Sequence, residues 1–273
     1  MQVVLISRGS TQGGRALAKC LEEHLPSFRC VCREDLVKTL DAQGDYAKKV
    51  LESIHGATRA YDQFSQLRHP YLVLMRLALL RFIRAGDLIY HGNAGHLLVA
   101  DLHWCLRLRV DAPMAMRTRN AMERLNLPEA EAHEAVLLED EERVRWARFM
   151  YGKDIRDPRL YDACFSLDRL TSSKICAVIV EALMGRDMDA SPEQLRELDN
   201  LYLSAQVEAA LAVDESLRTR EVRARACQGK VVLEGPFLFD DDLARTLEIA
   251  RSVEGVLEVD YQPGYATSFE SWQ

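Results

Sequence analysis

Along the chain, short apolar runs alternate with longer stretches of helical period. Residues 2–6 (QVVLI) form a short apolar run, and Leu17, Ala18, Leu21 and Leu25 then recur on one helical face before Pro26. A buried strand, a glycine-bearing turn and an amphipathic helix are the opening unit of a parallel sheet. Further strands are predicted at 29–32, 88–91, 105–110 and 162–167, and helical stretches at 34–85, 114–150 and 172–184. Breaks are expected near Gly44, Gly56 and Pro70. Strands spaced by helices of this length predict an α/β fold with a doubly wound parallel sheet of about five strands.

After Gly185 the pattern changes. Residues 186–198 are polar, carry a proline and read as a linker. Beyond them runs an α-β-β-α-β pattern: helix 198–214, strands 221–227 and 230–234, helix 241–252 and strand 256–261. The organisation expected is therefore a first domain over 1–185, the linker, a small α+β domain over 199–262 and a tail over 263–273.

Composition narrows the function classes. A chain of 273 residues has room for two domains, and 48% apolar with 28% charged residues is an ordinary globular balance. The net charge of −7 disfavours nucleic acid as a partner, yet leaves local binding of small anions open. The most apolar stretch, Tyr71 to Ile83, is short and interrupted by Arg76 and Arg81, which argues against a membrane span. Seven cysteines without a signal-peptide pattern read as reduced thiols in a cytoplasmic protein. Cys30 and Cys32 are the one close pair, and without a second cluster no metal-ligand set is expected.

The candidate chemistry opens at Gly9-Ser10-Thr11-Gln12-Gly13-Gly14-Arg15-Ala16, between a strand and a helix. Glycines there let backbone N–H groups approach an anion, and the helix N-terminus adds partial positive charge. The spacing fits the phosphate loop G-x-x-x-x-G-K-[ST], but Arg15 replaces the lysine and Ala16 the hydroxyl residue. A planar guanidinium is not equivalent to the lysine point charge, and the missing hydroxyl removes the usual protein ligand of Mg²⁺. A plain glycine-rich turn has the same spacing.

With those residues the chain resembles the cytidylate kinase-like family, a P-loop nucleoside monophosphate kinase-like group. The resemblance rests on Ile6-Ser7-Arg8, Gly13-Gly14-Arg15, the stretch Leu88 to Pro113, Arg117, Arg119 and the stretch Asp140 to Asp162. It implies lid arginines at Arg143, Arg145 and Arg148, acting with Arg15 to neutralise a transferring phosphoryl group. The alternative for the lid residues is an exposed helix face paired with Glu139 to Glu142. The resemblance matches Arg76 to an acceptor-site arginine, and His91 and His96, flanking the Gly92-Asn93-Ala94-Gly95 turn at the carboxyl end of the third strand, stand with Asn93 where ligands of open α/β sheets bind. There the chain departs from cytidylate kinases, which carry Asp-Gly-Arg-Asp where this sequence has His91-Gly92-Asn93-Ala94.

Two functions follow. One is a kinase moving the ATP γ-phosphate to a nucleoside monophosphate or similar small phosphorylated acceptor, with Mg²⁺ held mainly by phosphates and water. The other is a catalytically inactive nucleotide-binding sensor or scaffold. Residues 199–262 resemble a BON domain, through Val222-x-Ala-x-Ala, Gly229-Lys-Val-Val-Leu-Glu-Gly235 and Ala250-x-x-Val-x-Gly-Val256. That resemblance implies a module for regulation, a protein partner or homo-oligomer contacts.

Overall fold

In the computed structural model, residues 1–9, 11–40, 44–55, 65–185, 187–217, 220–236 and 240–264 are described. The expected break at Gly56 and the end of the tail lie outside the described residues. The first elements are β1 (Val3–Arg8), α1 (Thr11–His24), β2 (Arg29–Cys32), α2 (Arg33–Thr39), α3 (Asp45–His55) and α4 (Ser65–Arg84). Then come β3 (Leu88–Gly92), β4 (Leu106–Asp111), α5 (Met114–Leu125), α6 (Glu129–Tyr151), β5 (Ala163–Ser166) and α7 (Ser172–Met184). The last are α8 (Pro192–Val213), β6 (Arg223–Cys227), β7 (Lys230–Gly235), α9 (Asp240–Ser252) and β8 (Glu258–Pro263).

These elements form two compact units, Met1–Arg33 with Gly86–Ala190, and Glu34–Ala85 with Ser191–Gln273. The first unit holds a five-stranded sheet in the order β2-β3-β1-β4-β5, with every pairing parallel. β1 is central because its run VVLI is apolar on both faces and covered on both, as a parallel sheet requires. Helices α1 and α7 pack together, placing Leu17, Leu21, Ile175 and Ile179 against Val4 and Ile6. Thr171 begins α7 by accepting a hydrogen bond from the Lys174 N–H. α5 and α6 form a helical hairpin, turned by Asn126 in the left-handed region (φ 53°), around a small cluster of Ala121, Ala132 and Val136.

In the second unit α4 packs along α8, and α3 against α4. Residues 34–85, read from the sequence as part of the first domain, thus pack with the C-terminal segment. Pro70 does not break α4: it is the sixth residue of the helix, in the second turn, and its missing N–H forfeits one intrahelical bond. Thirteen buried residues of α4, Pro70 among them, supply the packing that offsets the lost bond. α8 also begins earlier than expected, within the stretch read as a linker. Ser191-Pro192-Glu193-Gln194 is a capping box: the Ser191 hydroxyl accepts from the Gln194 N–H at 3.2 Å and the Gln194 side chain accepts from the Ser191 N–H at 2.8 Å.

The remaining elements follow the α-β-β-α-β order. β6 and β7 are antiparallel across a tight turn at Gln228-Gly229, both at positive φ (50° and 86°), and β8 joins β7 in parallel. Val207, Leu211, Val222, Val231, Leu233, Ala250 and Val259 form this core. Buried Glu208 accepts a hydrogen bond from the Ala224 N–H at 2.9 Å, satisfying a strand donor that faces the helix.

Candidate phosphate-binding site

Open α/β sheets bind ligands beyond the carboxyl ends of their strands. At that end of β1 and β4 the first unit has a cavity of about 610 Å³. Gly9 follows β1, Asp111 and Ala112 close β4, Arg117 comes from α5, and α6 contributes Leu137, Asp140, Glu141, Arg143, Val144, Arg145 and Arg148. Ile155 and Arg156 complete the lining. Positions 137, 141, 144 and 148 share one face of α6 by helical period. Six arginines stand against three carboxylates, so the cavity is locally cationic in a chain of net charge −7.

Alternation along β4 sets the floor. Arg109 and Asp111 point the same way, and Arg109 donates to Asp111 through Nε at 2.8 Å and Nη2 at 3.2 Å. Its Nη1 donates to the Ile155 carbonyl at 2.9 Å. Burial alone would lower the Arg109 pKa, but Asp111 and Tyr161 outweigh it and the guanidinium is held charged. Gly9 lies directly over this pair: a Cβ there would fall 1.7 Å from Asp111 Oδ1. Only glycine allows that approach.

On the opposite wall Asp140 accepts from Arg117 Nη1 at 2.7 Å and from Arg143. Burial would raise the Asp140 pKa, and the two guanidiniums reverse that and hold it below the usual carboxylate range. Arg117 Nη1 also reaches the Gly9 carbonyl at 3.4 Å, tying α5 to the end of β1. Arg145 pairs with Glu141 at 3.9 Å, while Arg148 and Arg156 share Asp154 at 2.8 and 2.6 Å. Such exposed pairs are weak and rearrange at little cost when an anion competes.

The structure brings Gly9 together with Arg143, Arg145 and Arg148. Ser10 lies outside the described residues. α1 starts at Thr11, so Thr11, Gln12, Gly13, Gly14 and Arg15 form its opening turns rather than an extended loop. Gly13 and Gly14 are buried, and a Cβ on Gly14 would fall 2.2 Å from Arg8 Cγ. Arg15 is exposed and does not line the cavity. Arg76 is buried in α4, in the second unit, and does not line it either.

The turn after β3 is organised around packing. Added Cβ atoms on Gly92 and Gly95 would fall 2.4 and 2.0 Å from the fully buried Tyr90 side chain, so both glycines make room for that ring. His91 and Asn93 are half-buried, and neither they nor His96 line the cavity. His96 is buried, with its ring centroid 4.7 Å from that of Tyr161. Neither of its ring nitrogens has a hydrogen-bond partner among the described residues. Burial, then Arg107 and Arg109, push its pKa down to about 3, so the ring is neutral at pH 7. Tyr161 donates to the Ile155 carbonyl at 2.7 Å, and its hydroxyl is 3.3 Å from Ser7 Oγ, linking β1 to the cavity floor.

A family model described as the cytidylate kinase-like family matches residues 3–169. The chain belongs to that family. This cytidylate kinase-like protein is similar to a solved structure of an uncharacterized protein from Eubacterium ventriosum, with 17% identity and TM-score 0.49 over 68% of this chain and 100% of that one. Dephospho-CoA kinase from Campylobacter jejuni is similar at 11% identity and TM-score 0.41, again over 68% of this chain and 100% of that one. No curated protein sequence matches the chain.

The site residues that sequence reasoning missed are Arg109, Asp111, Asp140 and Arg156, with Arg117 noted only within the resemblance. The signal for the first two was present in Arg107-Leu-Arg-Val-Asp111, where charged residues recur every second position of an interior strand. No helix among the described residues is long and apolar enough to cross a membrane.

Proposed function

We propose that the first unit binds a nucleotide by its phosphates in the arginine-lined cavity and transfers the ATP γ-phosphate to a nucleoside monophosphate or similar small phosphorylated acceptor. The observation that carries this reading is the convergence of Gly9, Arg109, Arg117 and the α6 arginines on one cavity at the carboxyl edge of the sheet. Phosphoryl transfer depends mainly on positioning and on neutralising spread negative charge, which clustered guanidiniums supply. Arg109 and Arg117 are fixed by Asp111 and Asp140, whereas Arg145 and Arg148 are exposed side chains in weak surface pairs and can close on phosphates. Asp111 and Asp140 are already engaged by guanidiniums, and position 16 is alanine. Mg²⁺ would therefore be held mainly by phosphate oxygens and water.

A second reading, a nucleotide-binding sensor without turnover, is favoured by one placement: Arg15 stands outside the cavity, so the cationic residue of the phosphate loop does not face the other arginines. On that reading the C-terminal elements, taken as a BON-like module, serve regulation or protein contacts. Incubation with ATP, Mg²⁺ and a panel of nucleoside monophosphates separates the two. Nucleoside diphosphate formation that is lost in Arg143→Ala supports the kinase; a nucleotide-dependent rise in melting temperature without product supports the sensor. Neither response with any nucleotide overturns both.

A further inference from the structure

Away from the cavity, α1 and α7 bring three soft-ligand side chains to one point. Cys20 and His24 are four residues apart and so share a face of α1, while Cys176 comes from the first half of α7. Their ligand atoms all lie within 4.8 Å of one another. The His24 Nδ1 atom is 3.9 Å from Cys20 Sγ and 3.9 Å from Cys176 Sγ. Tetrahedral zinc, with bonds of about 2.3 Å to sulfur and about 2.0 Å to nitrogen, separates its ligands by roughly 3.5–3.8 Å. The three donors thus stand almost at ligand spacing already. All seven cysteines are free thiols, so neither sulfur is committed to a disulfide.

We propose that Cys20, His24 and Cys176 form a binding site for a thiophilic divalent cation, with Zn²⁺ the best match to two thiols and an imidazole. Burial is graded across the site: Cys176 is buried, Cys20 half-buried and His24 exposed. The cation enters from the His24 side, and its fourth position stays open to water. At present His24 Nδ1 donates its proton to the Cys20 carbonyl at 2.8 Å. Coordination through Nδ1 moves that proton to Nε2, and the two thiols release theirs, so one cation displaces two protons into solvent. The bound ion joins the last turns of α1 to α7. It thereby braces the helix whose first turn, at the far end, follows Gly9.

The test uses the full-length protein, reduced and freed of metal with a chelator, titrated with Co²⁺ without oxygen. The expected result is one equivalent of tightly bound cobalt, with a thiolate-to-cobalt charge-transfer band, intense tetrahedral visible bands, and displacement by Zn²⁺. Cys20→Ser and His24→Gln should each weaken binding at least about tenfold, the scale on which even outer-shell partners act. His24 is exposed, so His24→Gln reads the site without threatening the core, and unchanged circular dichroism confirms that. Cys30→Ser/Cys32→Ser should bind as the parent does. A cobalt spectrum without thiolate bands, or affinity unchanged in both Cys20→Ser and His24→Gln, would overturn the proposal. So would thiolate bands that vanish only in the Cys30/Cys32 variant.

Discussion

Arg109 and Asp111 lie two residues apart on β4 and close a two-pronged ion pair along the strand, directly beneath the α-carbon of Gly9. The backbone of the β1–α1 connection and the charge of the cavity floor are therefore one steric unit. Gly9→Ala should displace this pair, because the atoms its methyl group would meet are the Asp111 carboxylate and the Arg109 guanidinium. The expected cost is ~1–3 kcal/mol in urea unfolding, with weakened nucleotide binding. In an Asp111→Ala background the same substitution should cost markedly less. Equal costs in both backgrounds would refute the steric account.

Arg143 and Arg117 share Asp140, which predicts an asymmetry between charge removal and charge release. Arg143→Ala should weaken ATP binding about tenfold, equivalent to about 1.4 kcal/mol. Asp140→Asn should weaken binding less, or tighten it, since it removes a competing anion while leaving both guanidiniums. Calorimetric titration of the two variants decides this, and an Asp140→Asn variant that binds worse than Arg143→Ala would contradict it.

His96 gives the protein a pH dependence of definite sign. Its folded pKa of about 3 lies below the unfolded value of 6.5, so acid protonates the unfolded chain first. Stability is fully present above about pH 6.5 and is lost progressively as pH falls toward 3, by roughly 3 kcal/mol at pH 4. Urea midpoints measured from pH 7 to pH 4 should fall for the parent protein. The additional fall should be absent in His96→Phe, whose ring fills a similar space without orphaned nitrogens. Parallel profiles for the two proteins would remove His96 as the cause.

Ser191 tests the start of α8, which lies in the stretch read from the sequence as a linker. Ser191→Ala removes one of the two reciprocal bonds of the capping box and should lower stability by about 1 kcal/mol. Ser191→Asp, which keeps an acceptor for the Gln194 N–H, should recover most of that loss in thermal unfolding.

Most of the first sheet could be read in the sequence because β1 and β3 are short apolar runs ended by glycine-bearing turns, and the remaining strands are short segments set between helical stretches. α7 was read with its observed bounds, since its apolar period is regular and Thr171 marks its start. What escaped was whatever depended on packing between distant segments. Nothing local in Tyr71 to Ile83 says that α4 packs on α8, because an apolar helix face fits any other apolar face. The cavity was legible in part: Arg145 and Arg148 are three residues apart on α6, but Arg109 and Asp111 acquire meaning only once β4 is seen to end beside Gly9. For His91, Asn93 and His96 the glycines nearby pointed to a ligand, whereas the structure uses those glycines to seat Tyr90. The Cys20–His24 spacing was visible, but Cys176 joins it only through the packing of α1 on α7.

The interrupted course of the chain has a consequence for how the molecule is made. By Ser166 every strand of the large sheet has been synthesised, and by Met184 the helix that covers α1 as well. The face of α4 that packs along α8 is completed much earlier and stays uncovered until α8 has been made. A nascent chain emerging in order therefore carries an uncovered apolar helix face through the synthesis of the sheet, and that interval is when chaperones and proteases would meet it.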